Sequence, residues 1–315
     1  MNTSASSPPN ATNPAAEPMI TIGLPCYNSE KYLAQSIESL LNQTYRNFIL
    51  ILSDNASTDG TAEICRRYAA TDARVRYVRN PENIGMSGNF NSVFALAQTK
   101  YFKWATADDF WDSELLADAL AVLEADADVV LCYPRAVLVD SDGVEQSRYE
   151  DNLHLMQADP VARFLAVLEN LHLVNHHLGV MRTDAIRRTH LFGKHFGADV
   201  GFVAELSLYG KFYKLPKYQL FRRFHPDSSS WLRGSEDHQA RRFFATNSRR
   251  PLFNTWRFHW AFCQGVLGSP LTFAGKVRLL YSLAKDLYWD RKWLALELRH
   301  DLLSQWKKKT TVPVK

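Results

Sequence analysis

The sequence predicts an α/β protein, a mostly parallel sheet flanked by helices, with a helical and basic C-terminal extension. Three observations predict it. Short apolar runs alternate with amphipathic stretches from Met19 to Tyr133, as strands joined by crossover helices do. Asn28, Asp54, Asp108 and Asp109 each stand shortly after one of those runs, and ligands of such sheets bind beyond the carboxyl ends of the strands. Charge is unevenly divided. Residues 241–315 hold 15 Lys and Arg against 4 Asp and Glu, a net of +11, and residues 1–240 carry −7.

The elements follow in order. Residues 1–17 are rich in Ser, Asn, Ala, Thr and Pro, with neither a basic leader nor an apolar core, and read as a disordered tail rather than a signal peptide. Met19–Leu24 is a strand. Leu33, Ile37, Leu40 and Leu41 give Tyr32–Leu41 helical spacing. Phe48–Ser53 is the second strand, and Asp59-Gly60-Thr61 opens a helix through Tyr68 with Thr61 or Asp59 as its cap. Val75–Arg79, a helix from Ser87 to Ala97, the strand Tyr101–Ala105, the helix Ser113–Glu124 and the strand Val129–Tyr133 continue the alternation.

Composition excludes several classes. Cys26, Cys65, Cys132 and Cys263 form no Cys-x-x-Cys pair, so buried reduced thiols are expected in place of a zinc module or a disulfide framework. No run of about 18 apolar residues offers a bilayer span. The turn after the first strand, Gly23-Leu24-Pro25-Cys26-Tyr27-Asn28-Ser29-Glu30, has neither dinucleotide-binding nor P-loop glycines. It is also not the Gly-rich, basic first loop of a nucleotidyltransferase.

The most informative stretch is Trp104-Ala105-Thr106-Ala107-Asp108-Asp109-Phe110-Trp111. Two carboxylates at the buried end of a strand are costly unless they have a task, most simply a divalent cation. Hard cations such as Mg²⁺ take one or two carboxylates and fill their other positions with phosphate and water. A helix N-terminal charge pair is the simpler alternative. Asp54 and Asn28 likewise read either as ligand contacts or as turn and cap residues, and Asp59 before Gly60 as a turn or cap residue.

On Ile22-Gly23-Leu24-Pro25-Cys26-Tyr27-Asn28, Leu52-Ser53-Asp54-Asn55-Ala56-Ser57-Thr58-Asp59-Gly60-Thr61, Asn83-Ile84-Gly85 and Asp108-Asp109, the chain resembles the family-2 glycosyltransferases, inverting enzymes with a GT-A fold. The four motifs occur in the family's order, and the resemblance covers residues 18–230. It implies a nucleotide pocket of Pro25, Tyr27, Asn28, Asp54, Asn83 and Asp108, with Tyr27 packed on the base and Asp54 bonded to it. It implies a Mn²⁺ or Mg²⁺ ion at Asp108, Asp109 and His225. Chemically, an aromatic face stacks on a pyrimidine, a carboxylate accepts from the imide N–H of uracil or thymine, and a cation stabilises a leaving diphosphate. The family's acidic motif usually begins with Asp, and here that position is Thr106.

Inverting transfer needs a carboxylate to deprotonate the acceptor hydroxyl. The resemblance aligns Asp199 in Gly197-Ala198-Asp199 with that base, Ala198 replacing the usual Glu; a helix N-cap is the alternative role. The resemblance next implies a helix at Val203–Tyr209 ended by Gly210 and a short strand at Phe212–Leu215. Arg223-Phe224-His225-Pro226 matches the family's Arg-x-His segment, which puts His225 at the metal or diphosphate or leaves it a hydrogen-bonded loop histidine. His172, His176 and His177 read as loop or acceptor-cleft residues. Pro226–Gly234, with Ser228, Ser229 and Ser230 beside Trp231, reads as a closing loop.

The expected organisation is a GT-A domain over 18–235, its nucleotide-sugar half at 18–135 and acceptor half at 136–235, then the extension 236–315. That extension holds five of the eight tryptophans (Trp256, Trp260, Trp289, Trp293 and Trp306) among Arg249, Arg250, Arg257, Arg278, Arg291, Lys292 and Lys307–Lys309. Basic helices with aromatic anchors suit an anionic membrane surface; packing on the catalytic domain is the other reading, and no nucleic-acid module accompanies the charge. The resulting expectation is a cytoplasmic transferase, peripheral on the inner membrane face. It moves a sugar from a UDP or dTDP donor to a glycan or lipid-linked hydroxyl in cell-surface polysaccharide synthesis. The rival is a catalytically silent nucleotide-sugar-binding or membrane scaffold protein, suggested by Thr106 and Ala198.

Overall fold

The computed structural model describes residues 19–225 and 252–310, with side chains through residue 303. The N-terminal tail, the Pro226–Gly234 loop, Arg249 and Arg250, and the side chains of Trp306 and Lys307–Lys309 lie outside the described residues.

The chain runs β1 (Ile20–Cys26), α1 (Leu33–Leu41), β2 (Phe48–Asp54), α2 (Thr61–Thr71), β3 (Val75–Arg79), α3 (Met86–Ala95), β4 (Tyr101–Trp104), β5 (Phe110–Trp111) and α4 (Leu115–Ala125). It continues through β6 (Val129–Val139), β7 (Glu145–Tyr149), α5 (Pro160–Asn170), β8 (Val180–Arg182), α6 (Thr183–Arg187), α7 (Ala198–Ser207) and β9 (Lys211–Arg223). Two helices follow the undescribed segment, α8 (Asn254–Gly268) and α9 (Phe273–Thr310).

Among the described residues one sheet is ordered β3-β2-β1-β4-β8-β6-β9-β5, with β7 also on β6. The β3-β2-β1-β4 run is parallel throughout, as the alternation predicts. β1, β2 and β4 are buried on both faces, so they read as nearly continuous apolar runs such as Ile20–Cys26, whereas β3 at the edge is partly exposed. The second half adds antiparallel pairs of β8 with β4 and β6, and a long parallel pair of β6 with β9. Both strands of that pair outrun their expected lengths. Pro134 interrupts the pattern at Tyr133, and the register shifts there without ending the strand.

The core gathers where α3 crosses β1. Gly23 permits the approach, because a Cβ there would lie 2.8 Å from the Phe102 ring and 2.9 Å from Val93. Trp104 is fully buried, its ring meeting Phe94, Phe102, Phe192 and Phe202, and burial of each such side chain stabilises the fold by about 1.5–3 kcal/mol. Its indole N–H donates to the Phe90 carbonyl at 3.0 Å, which anchors the middle of α3. Cys26, Cys65 and Cys132 are buried free thiols, and Cys263 is half-buried.

Helix starts follow local chemistry. At α2 the N-cap position is Gly60, and Asp59 works one residue earlier: its Oδ1 accepts from the Thr61 N–H at 3.0 Å and its Oδ2 from the Glu30 N–H at 3.1 Å. Glu30 reciprocates, Oε2 accepting from the Gly60 N–H at 2.7 Å. Asp199 is not an N-cap; Gly197 holds that position at φ +77° and Asp199 sits in the first turn of α7. The C-terminal pair packs back on the body, α8 against α7 and α9 against α5.

Candidate functional site

Two adjoining cavities lie over the carboxyl ends of β1, β2 and β4. The first, about 260 Å³, is walled by the β1 turn (Pro25, Tyr27 and Asn28), by Asn55 and Asn83, and by Asp108 and His225. The second, about 210 Å³, holds Asp109, His177, His195, Asp199 and Arg222. Met86, Phe90, Thr106 and Asp108 line both, so the two form one cleft with Asp108 at the junction.

The first cavity is shaped by cross-ties between loops. Asn28, at φ +48°, accepts the Thr58 N–H at 2.9 Å and gives its own N–H to Ser57 Oγ at 3.0 Å. It therefore ties two loops together and does not cap α1. Asn83 Oδ1 accepts from Asn55 Nδ2 at 2.9 Å and from the Gly85 N–H at 2.8 Å. Asp54 is turned inward. Fully buried, it accepts from the Ser57 N–H at 2.8 Å, the Tyr77 hydroxyl at 3.0 Å and Arg79 Nη1 at 2.9 Å, and Asn55, not Asp54, is the residue of that loop on the cavity wall.

The two acidic residues differ sharply. Asp109 is buried, its Oδ1 accepting the Arg223 N–H at 2.8 Å and its Oδ2 the Thr106 hydroxyl at 2.5 Å. Burial, then the neighbouring Asp108 charge, push its carboxyl up to about 6. Asp108 is one-third exposed, and His225 Nε2 stands 3.3 Å from its Oδ2. The departure at Thr106 thereby gains a physical sense, because a hydroxyl can donate to Asp109 where a second carboxylate would repel it.

The pairing of β5 with β9, Phe110 opposite Phe221 and Trp111 opposite Leu220, brings the acidic turn beside Arg223 and His225. Phe110 and Phe221 stack with centroids 4.7 Å apart. Arg223 is buried between the Tyr32 and Phe110 rings. It donates to the Asp108 carbonyl at 3.0 Å, the Asp140 and Ser141 carbonyls at 3.2 and 2.8 Å, and Gln35 Oε1 at 2.6 Å. It is the clamp that holds the acidic turn to the second half of the sheet.

In the second cavity Asp199 is half-buried, and burial raises its carboxyl above the usual aspartate range, against the pull of the Val200 N–H. His177 is buried between Phe90 and Phe192. Burial and then Arg222, His176 and Lys103 lower it to about 3, so it is a neutral imidazole at neutral pH. Of the neighbouring histidines, His176 is buried 3.6 Å from Asp151 and His172 is exposed. Lys103, on β4 beneath the acidic turn, is fully buried; it donates to the Leu178 carbonyl, and to the Trp104 carbonyl at 3.2 Å, with its ammonium 4.6 Å from the centre of the Trp111 ring.

The structure thus brings together Pro25, Tyr27, Asn28, Asn83, Asp108, Asp109, Asp199 and His225, and leaves Asp54 behind the wall. Sequence reasoning missed His195, Arg222, Lys103 and the clamp role of Arg223. A lysine inside a strand that otherwise reads as buried was the one available signal. As for metal, no group of three or more His, Cys, Asp or Glu side chains converges among the described residues. The Asp108–His225 pair at the cleft fits a cation that takes its remaining ligands from a phosphorylated molecule.

The model of glycosyl transferase family 2 matches residues 21–189. Glycosyltransferase GlyG of Streptococcus pneumoniae is 34% identical over 114 residues, 36% of this chain and 38% of that one. The chain spans about half the length, or less, of the first few curated relatives it matches. Among solved structures, S. aureus TarS 1–349 in complex with UDP-GlcNAc aligns with a TM-score of 0.63 at 18% identity, covering 85% of this chain and 72% of that one. Mannosyltransferase PcManGT from Pyrobaculum calidifontis, in complex with GDP-Man and Mn²⁺, aligns at 0.52 and 18% identity over 91% and 86%. Both share the fold.

Proposed function

The chain belongs to glycosyl transferase family 2, and on that premise we propose that it is a metal-dependent inverting glycosyltransferase using a nucleoside diphosphate sugar, UDP or dTDP before GDP. The observation that carries the reading is the shared cleft: Asp108 stands between an aromatic and amide-lined cavity and a second cavity holding a raised carboxyl, Asp199. The first fits a nucleoside, with Tyr27 against the base and the Asn55 and Asn83 wall beside it. Asp54 acts from behind, by fixing the Ser57 loop. TarS, whose structure carries UDP-GlcNAc, supports a uridine donor.

Asp108 and His225 are the residues that would hold a Mn²⁺ or Mg²⁺ ion, with Asp109 shaping the turn through Thr106 and Arg223. When bound, that cation offsets the charge of the departing diphosphate. Asp199 accepts the proton of an acceptor hydroxyl as its oxygen attacks the anomeric carbon from the face opposite the diphosphate. The C–O bond to the diphosphate breaks and the configuration inverts. A raised pKa makes Asp199 a better base near neutral pH. The acceptor is a hydroxyl of a glycan or lipid-linked sugar, as in cell-surface polysaccharide synthesis.

A donor screen tests this: UDP, dTDP, GDP and their sugars, each with Mn²⁺, Mg²⁺ or EDTA, read by thermal unfolding. A ligand of the native state raises the melting temperature with its concentration. The expected result is a shift for a uridine or thymidine nucleotide that EDTA abolishes. No shift with any nucleotide would overturn the reading.

A further inference from the structure

Helix α9 has two unlike faces. Its protein side carries Leu279, Leu283 and Leu294, all buried, and most of its acids. Asp290 meets His259 Nε2 at 3.1 Å, Glu297 accepts the Thr255 N–H at 3.0 Å, and Asp301 accepts the Phe253 N–H at 2.6 Å. Asp286 lies at the margin near His259. The outward side carries Phe273, Val277, Tyr281, Tyr288, Trp289 and Trp293, with Phe273 84% exposed and the two tryptophans above 70%.

Interleaved with these aromatics are Lys285, Arg291, Lys292 and Arg299, all exposed, and the Arg291 guanidinium lies 4.0 Å over the Tyr288 ring. On α8 Trp256, Trp260 and Leu267 form a second exposed stripe. The Trp256 indole donates to the Leu294 carbonyl of α9 at 3.2 Å, so that stripe packs against α9 next to the exposed Trp293. The helix is 38 residues long, about 57 Å. Isolated exposed apolar residues are ordinary, whereas a patch of this extent marks an interaction surface.

From this face we infer that α8 and α9 dock the protein on an anionic lipid surface, aromatic rings in the headgroup region and basic side chains against lipid phosphates. Aromatic rings favour the headgroup level, and Lys and Arg beside them are drawn to an anionic leaflet. No helix among the described residues is long and apolar enough to cross a membrane, and the face fits a helix lying in the interface plane. A second copy of the same face is disfavoured by charge: an isologous pairing would set basic residues against basic residues. The inference stands apart from the transferase reading, because lipid binding requires no turnover.

The test is co-sedimentation of the full chain with vesicles of phosphatidylcholine alone or mixed with phosphatidylglycerol, at low and high salt. Binding is expected to the mixed vesicles only, to weaken with salt, and to shift tryptophan emission to the blue. In the triple variant Lys285→Gln/Lys292→Gln/Arg299→Gln it should fall on the order of a hundredfold, at about fivefold per basic residue. Trp289→Ala/Trp293→Ala should weaken binding at least tenfold. Both variants alter exposed positions, and an unchanged circular dichroism spectrum is the check that they fold. Absence of binding to mixed vesicles, or binding indifferent to both variants, overturns the inference. So does a wild-type dimer in sedimentation equilibrium that Trp289→Ala/Trp293→Ala disperses while vesicles bind neither protein; that outcome makes the face a contact between copies.

Discussion

Replacing Lys103 by Met should stabilise the protein at neutral pH and should do so in a pH-dependent way. Burial lowers this ammonium from 10.5 to about 7, Asp109 pulling the other way. At about 1.36 kcal/mol per pK unit, holding the charge inside costs about 5 kcal/mol below pH 7. Met fills nearly the same volume without the charge. It forfeits the bonds to the Leu178 and Trp104 carbonyls and the contact with Trp111, about 2–4 kcal/mol together. The net gain is about 1–3 kcal/mol.

The sign with pH follows from proton counting. Between pH 7 and 10.5 the unfolded wild type binds a proton that the native state has lost, so wild-type stability rises with pH. Urea unfolding of both proteins from pH 6 to 9.5 should therefore show the advantage of Lys103→Met largest at pH 6 and shrinking thereafter. Activity should fall, because the turn His176–Leu178 loses its tether. A Met variant less stable at pH 6, or an advantage independent of pH, would refute the reasoning.

Further outcomes are expected at the cleft. Asp199→Asn should lower kcat by about 10²–10⁴-fold while donor binding, read by thermal shift, stays within about twofold of wild type; a silent scaffold would have no turnover to lose. The acid limb of kcat/KM governed by Asp199 should lie above the ordinary aspartate range, since burial raises this carboxyl; an inflection at the model-peptide value in a pH–rate profile would contradict that. Arg223→Met should destabilise by about 2–4 kcal/mol, about 3–6 °C in Tm for a chain of this size, because four part-buried acceptors lose their charged donor. Gly179→Ala should cost about 1–3 kcal/mol in urea unfolding, since the added Cβ would lie 2.6 Å from the Cys132 carbonyl oxygen.

Strands β1, β2 and β4 were legible because they are doubly buried and short, so each announces itself as an apolar run bounded by turn residues. The turn residues that wall the first cavity were legible for the same reason, lying directly after those runs. The β5–β9 pairing was not, because two residues, Phe110 and Trp111, are too few to show a period. That pairing nonetheless sets His225 beside Asp108. His195 and Arg222 carry no local pattern and join the site only through tertiary packing. The burial of Asp54 behind its wall depends on Tyr77 and Arg79, both on a neighbouring strand, so sequence adjacency to Asn55 was a poor guide to which side chain faces the cleft.

Gly197, at the N-terminal end of α7, has a consequence for how the chain can be altered. A Cβ there would lie 2.8 Å from the Phe258 ring of α8, and the Phe196 N–H is held by Asn254 Oδ1 at 2.8 Å. Two residues on stands Asp199. The far end of the protein is thus wedged under the residue proposed as base, and any swap of this tail for a relative's, or its removal to trim the chain, also resets the footing of the chemistry. A tail grafted without a ring at position 258 should disturb turnover before it disturbs folding.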